Sequence, residues 1–276
     1  MRLLRGFFLA LLAFALAACA SFPGARAGAG ADASPRLRAI IASGELRVGL
    51  TGNQPPLNMR DKQGEIIGLE VDLMEALGQS MGLTVRLVPT PFAELLSALE
   101  QGDVDLVISG MTITPERNAR VAFVGPYFIS GKSILTKSET LAKVTDSTEL
   151  DDPQRTYAAL SGSTSEDFVK EALPKAKLVS TPDYDTAVQM VIDDEVEALV
   201  ADFPICRISV LRHPEAGLST LVTPFTMEPL GIALPADDPL FVNLMQNYLT
   251  TLEGTGLLTR FKAKWFADGE WLSELP

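Results

Sequence analysis

Apolar residues recur along this chain in two alternating rhythms. ELRVGL (45–50) alternates polar and apolar residues over a short run, the mark of a strand. LEVDLMEALGQSMG (69–82) sets Val71, Met74, Leu77 and Met81 at helical spacing, the apolar stripe of an amphipathic helix. LTVRLVP (83–89) returns to strand, FAELLSALEQG (92–102) reads as a helix stopped by Gly102, and VDLVIS (104–109) as a strand. Between the first strand and the first helix, TGNQPPLNMRDKQGEIIG (51–68) reads as a loop closed by a hairpin around Lys62–Gly64. Strand, helix, strand, helix, strand predicts a doubly wound α/β sheet.

YFISGKSILTKS (127–138) then breaks the rhythm with a long extended run, interrupted at Gly131. The rhythm restarts with RTYAAL (155–160) as strand, TSEDFVKEAL (164–173) as helix and KLVS (177–180) as strand. YDTAVQMVIDD (184–194) is a helix, VEALVA (196–201) a strand, FPICRISVLR (203–212) a helix and STLVT (219–223) a strand. PLGIALP (229–235) is a second extended run, and two helices, 238–254 and 256–266, finish the chain. Two βα units with extended crossings near 130 and 225 predict two lobes joined by a two-segment hinge. Lobe 1 takes 36–129 and returns in 227–276 with the C-terminal helices. The hinge segments and lobe 2 take 130–226. In such sheets ligands sit outside the carboxyl ends of the strands, here in a cleft between lobes.

The N-terminus does not fit the rhythm. Arg2 and Arg5 precede GFFLALLAFALAA (6–18), an apolar run too short for an ordinary membrane span. Residues 1–18 read as a signal peptide. The run ends in LAAC (16–19), which resembles a lipobox, so Cys19 is expected to be lipidated and to become the first mature residue. The alternative is plain secretion, with cleavage near Ala18 or within GARAGAGADA (24–33). Residues 19–35, rich in Ala and Gly, read as a flexible tether. The expected location is the periplasm or extracellular face, anchored to the membrane through Cys19.

Charge and cysteine usage narrow the picture further. The formal net charge is -12, which argues against nucleic acid as a partner, though a local arginine can still dominate a cleft. After Cys19 only Cys206 remains, so no internal disulfide and no cysteine-rich metal site is expected. Cys206 reads as a small buried hydrophobe. His213, before a proline, reads as a helix-end or loop residue. No metal or cofactor is expected.

Three stretches hold candidate site chemistry. In SGMTITPER (109–117), Gly110 is placed to let a ligand approach the backbone, Thr114 is an N-cap, and Pro115 takes the first helical position. The Thr112 hydroxyl, backbone N–H groups and Arg117 then gather at one strand end, as a carboxylate receptor needs. The alternative is that Thr112 and Thr114 only cap, while Arg117 pairs with a surface acid. In SGSTSED (161–167), Ser163 followed by Glu166 is a capping box, with N–H groups facing the cleft or with no role beyond the cap. In LVADFP (199–204), Asp202 ends a strand, where its carboxylate either takes an ammonium or caps the helix after Pro204.

Taken together, GELRVGL, PPLNMRDKQGEIIGLEVDLMEALGQSMG, LEQGDVDLVISGMTITPERNARVAFVGPYF, SGSTSEDF, ALVADFP and PLGIAL, in that order, resemble one family. It is family 3 of the extracytoplasmic solute-binding proteins, which serve polar amino acid ABC transporters, and the likeness runs from about residue 37 to 268. The resemblance implies a type II periplasmic-binding-protein fold, each lobe a doubly wound, mainly parallel sheet. It implies that Arg117 holds a ligand α-carboxylate, with Ser109, Gly110 and Thr112 adding contacts. It further implies donors at Ser163 and Thr164, an α-ammonium on Asp202, and Phe92 stacked over the ligand side chain. The implied partners are a small-molecule ligand of the α-amino acid type and an ABC permease complex, with the chain itself a monomer.

The sequence departs from the family in its first loop. Thr51 and Gln54 stand where an acidic and an aromatic residue are usual, and Leu57 and Leu69 replace phenylalanines. That weakens arginine and lysine as ligands and leaves small, amide or apolar amino acids, or a solute outside the amino acids. ADFPICRISVLRHPEAG (201–217) also resembles cyclohexadienyl dehydratases. Dehydration needs a general acid, expected three residues after Asp202, and Ile205 stands there, so no enzyme activity is expected. A sensory binding protein that signals to another membrane partner is the remaining alternative.

Overall fold

Residues 34–275 are described in the computed structural model. The segment read as signal peptide, Cys19 and nearly all of the tether lie outside the described residues. The first helix, α1 (Pro35–Ser43), was not anticipated from the pattern. It is short and follows an Ala/Gly tract, but it buries Leu37 and Ile40 in the core of the first lobe. Pro35 opens it and Gly44, in the left-handed region at φ 72°, closes it. The buried Asp238 carboxylate ties it down by accepting from the Leu37 amide at 3.0 Å.

The chain then runs β1 (Glu45–Leu50), a small antiparallel sheet of β2 (Asn53–Gln54), β3 (Asn58–Arg60) and β4 (Ile66–Ile67), and helix α2 (Leu69–Met81). It continues through β5 (Thr84–Pro89), α3 (Leu95–Gln101), β6 (Leu106–Val107), the single turn α4 (Pro115–Asn118) and β7 (Ala122–Ser130). The second half has β8 (Lys132–Thr136), β9 (Thr156–Leu160), α5 (Thr164–Ala172), β10 (Lys177–Thr181), α6 (Tyr184–Ile192), β11 (Ala198–Asp202), α7 (Phe203–Arg212) and β12 (Ser219–Thr220). It closes with β13 (Glu228–Leu234), α8 (Pro239–Gly254) and α9 (Leu257–Ala263).

Two five-stranded sheets result, ordered β5-β1-β6-β13-β7 and β10-β9-β11-β8-β12. This is the two-lobed α/β architecture that the two βα units predict. Each sheet is mainly parallel in strand direction and mixed in pairing, with one strand running against the other four. β1 pairs in parallel with β5 and β6, and β9 with β10 and β11, while β13 and β8 pair antiparallel with both their neighbours. The reason is geometric: β8 and β13 adjoin the crossings, so they run back along a sheet already built from parallel strands. β6 is also shorter than VDLVIS, because its ladder partners β1 and β13 meet it over two residues at most.

The lobes are packed on apolar faces. α2 buries Leu73, Met74 and Leu77 beneath the first sheet, at roughly 1.5–3 kcal/mol for each large side chain taken from water. β8 and β11 are buried along their whole length in the second. The two crossings touch at Gly131, where a Cβ would collide with the carbonyl oxygen of Thr226. A side chain is excluded there because two backbones meet.

Candidate functional site

The turn after β6 is built as its residue types dictate. Thr114 Oγ1 accepts from the Arg117 amide at 3.2 Å, and Pro115 takes the first helical position of α4. That cap points the Arg117 side chain back toward the strand end. Its guanidinium donates to the Thr112 carbonyl at 2.9 Å and, across to the second lobe, to the Gly162 carbonyl at 3.0 Å. It also lies 5.7 Å from the centre of the buried Phe92 ring. Burial pulls its pKa down, against the attraction of Asp167, Asp202 and Glu228. Among the described residues no carboxylate forms an ion pair with it. Arg117 is thus a half-buried cation held by two carbonyl oxygens and a ring face.

The second lobe answers with the start of α5. Ser163 Oγ accepts from the Glu166 amide at 3.2 Å and donates to the Leu160 carbonyl at 2.6 Å. The Glu166 carboxylate reaches the Gly162 amide at 2.8 Å, one residue earlier than a standard capping box. The Ser163 hydroxyl is therefore taken up by the cap. Thr164 is the residue that faces the other lobe. Its Oγ1 stands 3.3 Å from Thr112 Oγ1 and donates to Glu228 Oε2 at 3.4 Å.

Asp202 ends β11 and begins α7, yet its side chain makes no cap hydrogen bond. Its Oδ1 instead receives Lys132 Nζ at 2.6 Å. Lys132 opens β8 and is the direct cross-strand partner of Asp202. Its ammonium also lies 3.6 Å from Glu228 Oε2. Neither Lys132 nor Glu228 was singled out in the sequence. The available signal was a lysine in the otherwise apolar and hydroxylic run SGKSIL, but only the β8–β11 register shows what it meets.

Ser109 and Gly110 face inward, to the chain's own first loop. Ser109 Oγ accepts from the Thr51 amide at 3.0 Å and from Gln54 Nε2 at 3.3 Å. The Gly110 amide donates to Glu70 Oε1 at 2.7 Å. Gly110 sits at φ 58°, and a Cβ on it would collide with Gln54 Oε1. The close approach that Gly110 permits is thus made by Gln54. Glu70 is the hub of this network, accepting also from Tyr127 Oη and from Asn58 Nδ2. Burial raises its pKa, while the donors from Tyr127, Gly110 and Asn58 resist the rise. The sequence reading missed Glu70, since a glutamate in the first turn of a helix resembles ordinary dipole compensation.

A groove of about 910 Å³ opens at Arg117, lined by Phe92, Met111, Thr112, Arg117, Thr164 and Glu228 among others, and its lining does not include Ser109, Gly110, Ser163, Lys132 or Asp202. Cys206 is buried behind the site, and burial pushes its thiol pKa up to about 12, far from reactive thiolate. Among the described residues no group of three or more His, Cys, Asp or Glu side chains is placed to hold a metal ion.

Two α/β lobes, with an arginine and paired hydroxyls where they meet and a buried ion pair in the second sheet, define a two-lobed binding-protein architecture. The chain belongs to the bacterial extracellular solute-binding proteins, family 3, which it matches over residues 46–268. It is similar to the cyclohexadienyl dehydratase of Pseudomonas aeruginosa, with 30% identity over 230 residues, covering 83% of this chain and 85% of that protein. It is similar to ABC transporter arginine-binding protein 1 of Escherichia coli K12, with 25% identity over 228 residues, 82% of this chain and 92% of that one. Among solved structures, an ancestral amino acid-binding protein, a precursor of cyclohexadienyl dehydratase, matches at a TM-score of 0.76 and 35% identity, over 83% of this chain and 99% of that one. A mutant of ArgBP from T. maritima matches at 0.79 and 28%, over 84% and all (100%) of the respective chains.

Proposed function

We propose that this protein binds a small, polar, amino-acid-like solute by its carboxylate and delivers it to the permease of an ABC transporter. One observation carries the reading. Arg117 is half-buried between the lobes, has spare N–H donors and has no carboxylate partner of its own among the described residues. A ligand carboxylate can take the open edge of the guanidinium by bidentate pairing. Thr112 and Thr164 bring hydroxyls to the same place from opposite lobes. Relatives named as arginine-, histidine-, cystine- and glutamate-binding proteins support the transport role. Hinge closure over the solute accompanies binding, since two lobes joined by two extended segments rotate cheaply.

Catalysis is disfavoured at the position where a dehydratase would keep its acid. Ile205 is buried in the first turn of α7 and has no proton to give. The site as read binds and releases its solute unchanged.

The chain works outside the cytoplasmic membrane, exported by residues 1–18 and held at the surface by lipid on Cys19. The support is LAAC directly after the apolar run. Cys19→Ala should move the protein from the membrane fraction to the soluble one, and membrane association that survives the change would count against the anchor. For the solute, a thermal-shift panel of the proteinogenic amino acids and related small carboxylates decides. At least one carboxylate should raise the melting temperature of the wild type and leave Arg117→Ala unmoved. A panel in which no carboxylate stabilises the protein defeats the reading.

A further inference from the structure

The two poles of the cleft are not equally open. Arg117 has two of its five donors on carbonyl oxygens and its remaining N–H groups available. Asp202, by contrast, already has a cation. Lys132 stands directly across the antiparallel β8–β11 pair, 2% exposed, with Nζ 2.6 Å from Asp202 Oδ1. The oxygens of Glu228 are engaged as well. Oε1 accepts from Thr226 Oγ1 at 2.9 Å, and Oε2 accepts from Thr164 Oγ1 at 3.4 Å and lies 3.6 Å from Lys132 Nζ. These contacts make one polar chain, Thr112–Thr164–Glu228–Lys132–Asp202, that begins at the residue whose carbonyl holds Arg117.

We propose that the solute is a carboxylate whose 2-position carries a neutral oxygen, as a hydroxyl or a keto group, in place of an ammonium. This rests on the carboxylate-binding reading above and narrows its ligand. The Asp202 carboxylate that would receive an α-ammonium already holds the chain's own lysine, placed there by strand register. An incoming ammonium meets a like charge at Lys132. To reach Asp202 it must displace Lys132, which would then be buried without its partner. An oxygen at the 2-position meets no such conflict. An ammonium has three N–H donors, and Lys132 spends one on Asp202 and directs another toward Glu228. A hydroxyl or keto oxygen accepts the third, and a hydroxyl can also donate to either carboxylate. Arg117 takes the carboxylate in both cases.

The test is calorimetry with the wild-type mature chain on matched triplets: alanine, pyruvate and lactate; leucine and its 2-oxo and 2-hydroxy acids; phenylalanine, phenylpyruvate and phenyllactate; glutamate, 2-oxoglutarate and 2-hydroxyglutarate. In the triplet that binds best, the oxo or hydroxy acid should be at least about tenfold tighter than the amino acid, the scale of one charged contact turned from favourable to repulsive. Lys132→Met frees Asp202 and should shift that ratio toward the amino acid by a similar factor. If Lys132→Met does not fold, the wild-type ratio alone decides. An amino acid that binds as tightly as its oxo and hydroxy partners overturns this inference and leaves the carboxylate receptor standing. If Lys132→Met folds and keeps the wild-type ratio, the ion pair is only a brace between strands and the inference is wrong. Failure of all twelve compounds (about the smallest set that varies both ends of the molecule) removes the carboxylate reading together with it.

Discussion

The hydroxyl of Thr112, from the first lobe, stands 3.3 Å from the hydroxyl of Thr164, from the second. The Arg117–Gly162 contact crosses the same gap at 3.0 Å. Together these contacts tie the two lobes across the cleft. Thr164→Val keeps the volume and removes the hydrogen bonds to Thr112 and Glu228. A hydrogen bond of this kind is worth about 0.5–1.5 kcal/mol net, enough to shift a balanced open–closed equilibrium several-fold. Solution scattering of the solute-free variant should give a larger radius of gyration than the wild type. Identical scattering curves would show that the threonines meet without holding the lobes.

Arg117 should dominate affinity. Truncation to Ala leaves the solute carboxylate buried without a cation and should cost about 2–5 kcal/mol of binding. Arg117→Lys should recover part of this, because a point charge reproduces the attraction but not the bidentate fork. Calorimetry on folded variants measures both. An Arg117→Ala protein binding within about threefold of wild type, roughly 0.65 kcal/mol, would place the carboxylate elsewhere.

Glu70 should leave a pH signature on stability. Burial raises its pKa in the folded protein above the ordinary 4.5. A carboxyl group raised in this way contributes stability fully below its unfolded value and loses it as pH rises through the folded value. The unfolding free energy should therefore decline as pH climbs from about 4.5, by the part due to this group. Glu70→Gln keeps an acceptor for the Gly110 amide and has no proton to lose, so its decline should be shallower. Urea titrations from acid to neutral pH on both proteins provide the comparison, and parallel curves would mean that Glu70 does not titrate differently on folding.

Gly110→Ala tests how the first loop is seated. The substitution forces an alanine to φ 58° and drives its Cβ into Gln54 Oε1. A left-handed non-glycine residue alone costs about 1–3 kcal/mol, and the collision adds to it. Gln54→Ala removes the obstructing side chain. The double variant should thus be more stable than the two single effects added together, by chemical denaturation. Simple additivity would show that the loop moves aside freely.

The order of strands and helices from α2 onward, the break at Gly131, the cap at Thr114 and the convergence of Thr112 and Arg117 at a strand end were legible in the chain. Each depends on residues within a few positions of one another, where periodicity, capping chemistry and backbone preference act locally. The mixed character of the sheets was not legible, because strand direction at β8 and β13 follows from where the crossings return. The partner of Asp202 was not legible either. Lys132 is 70 positions away in sequence, and only the antiparallel β8–β11 register sets the two opposite each other. The same holds for Glu70, whose donors come from Asn58, Gly110 and Tyr127 on three separate segments. Local sequence can say that a charged group exists and which way its element runs. Whether that charge is free for a ligand depends on what the tertiary fold brings within hydrogen-bond reach, and at Asp202 the fold brings a lysine.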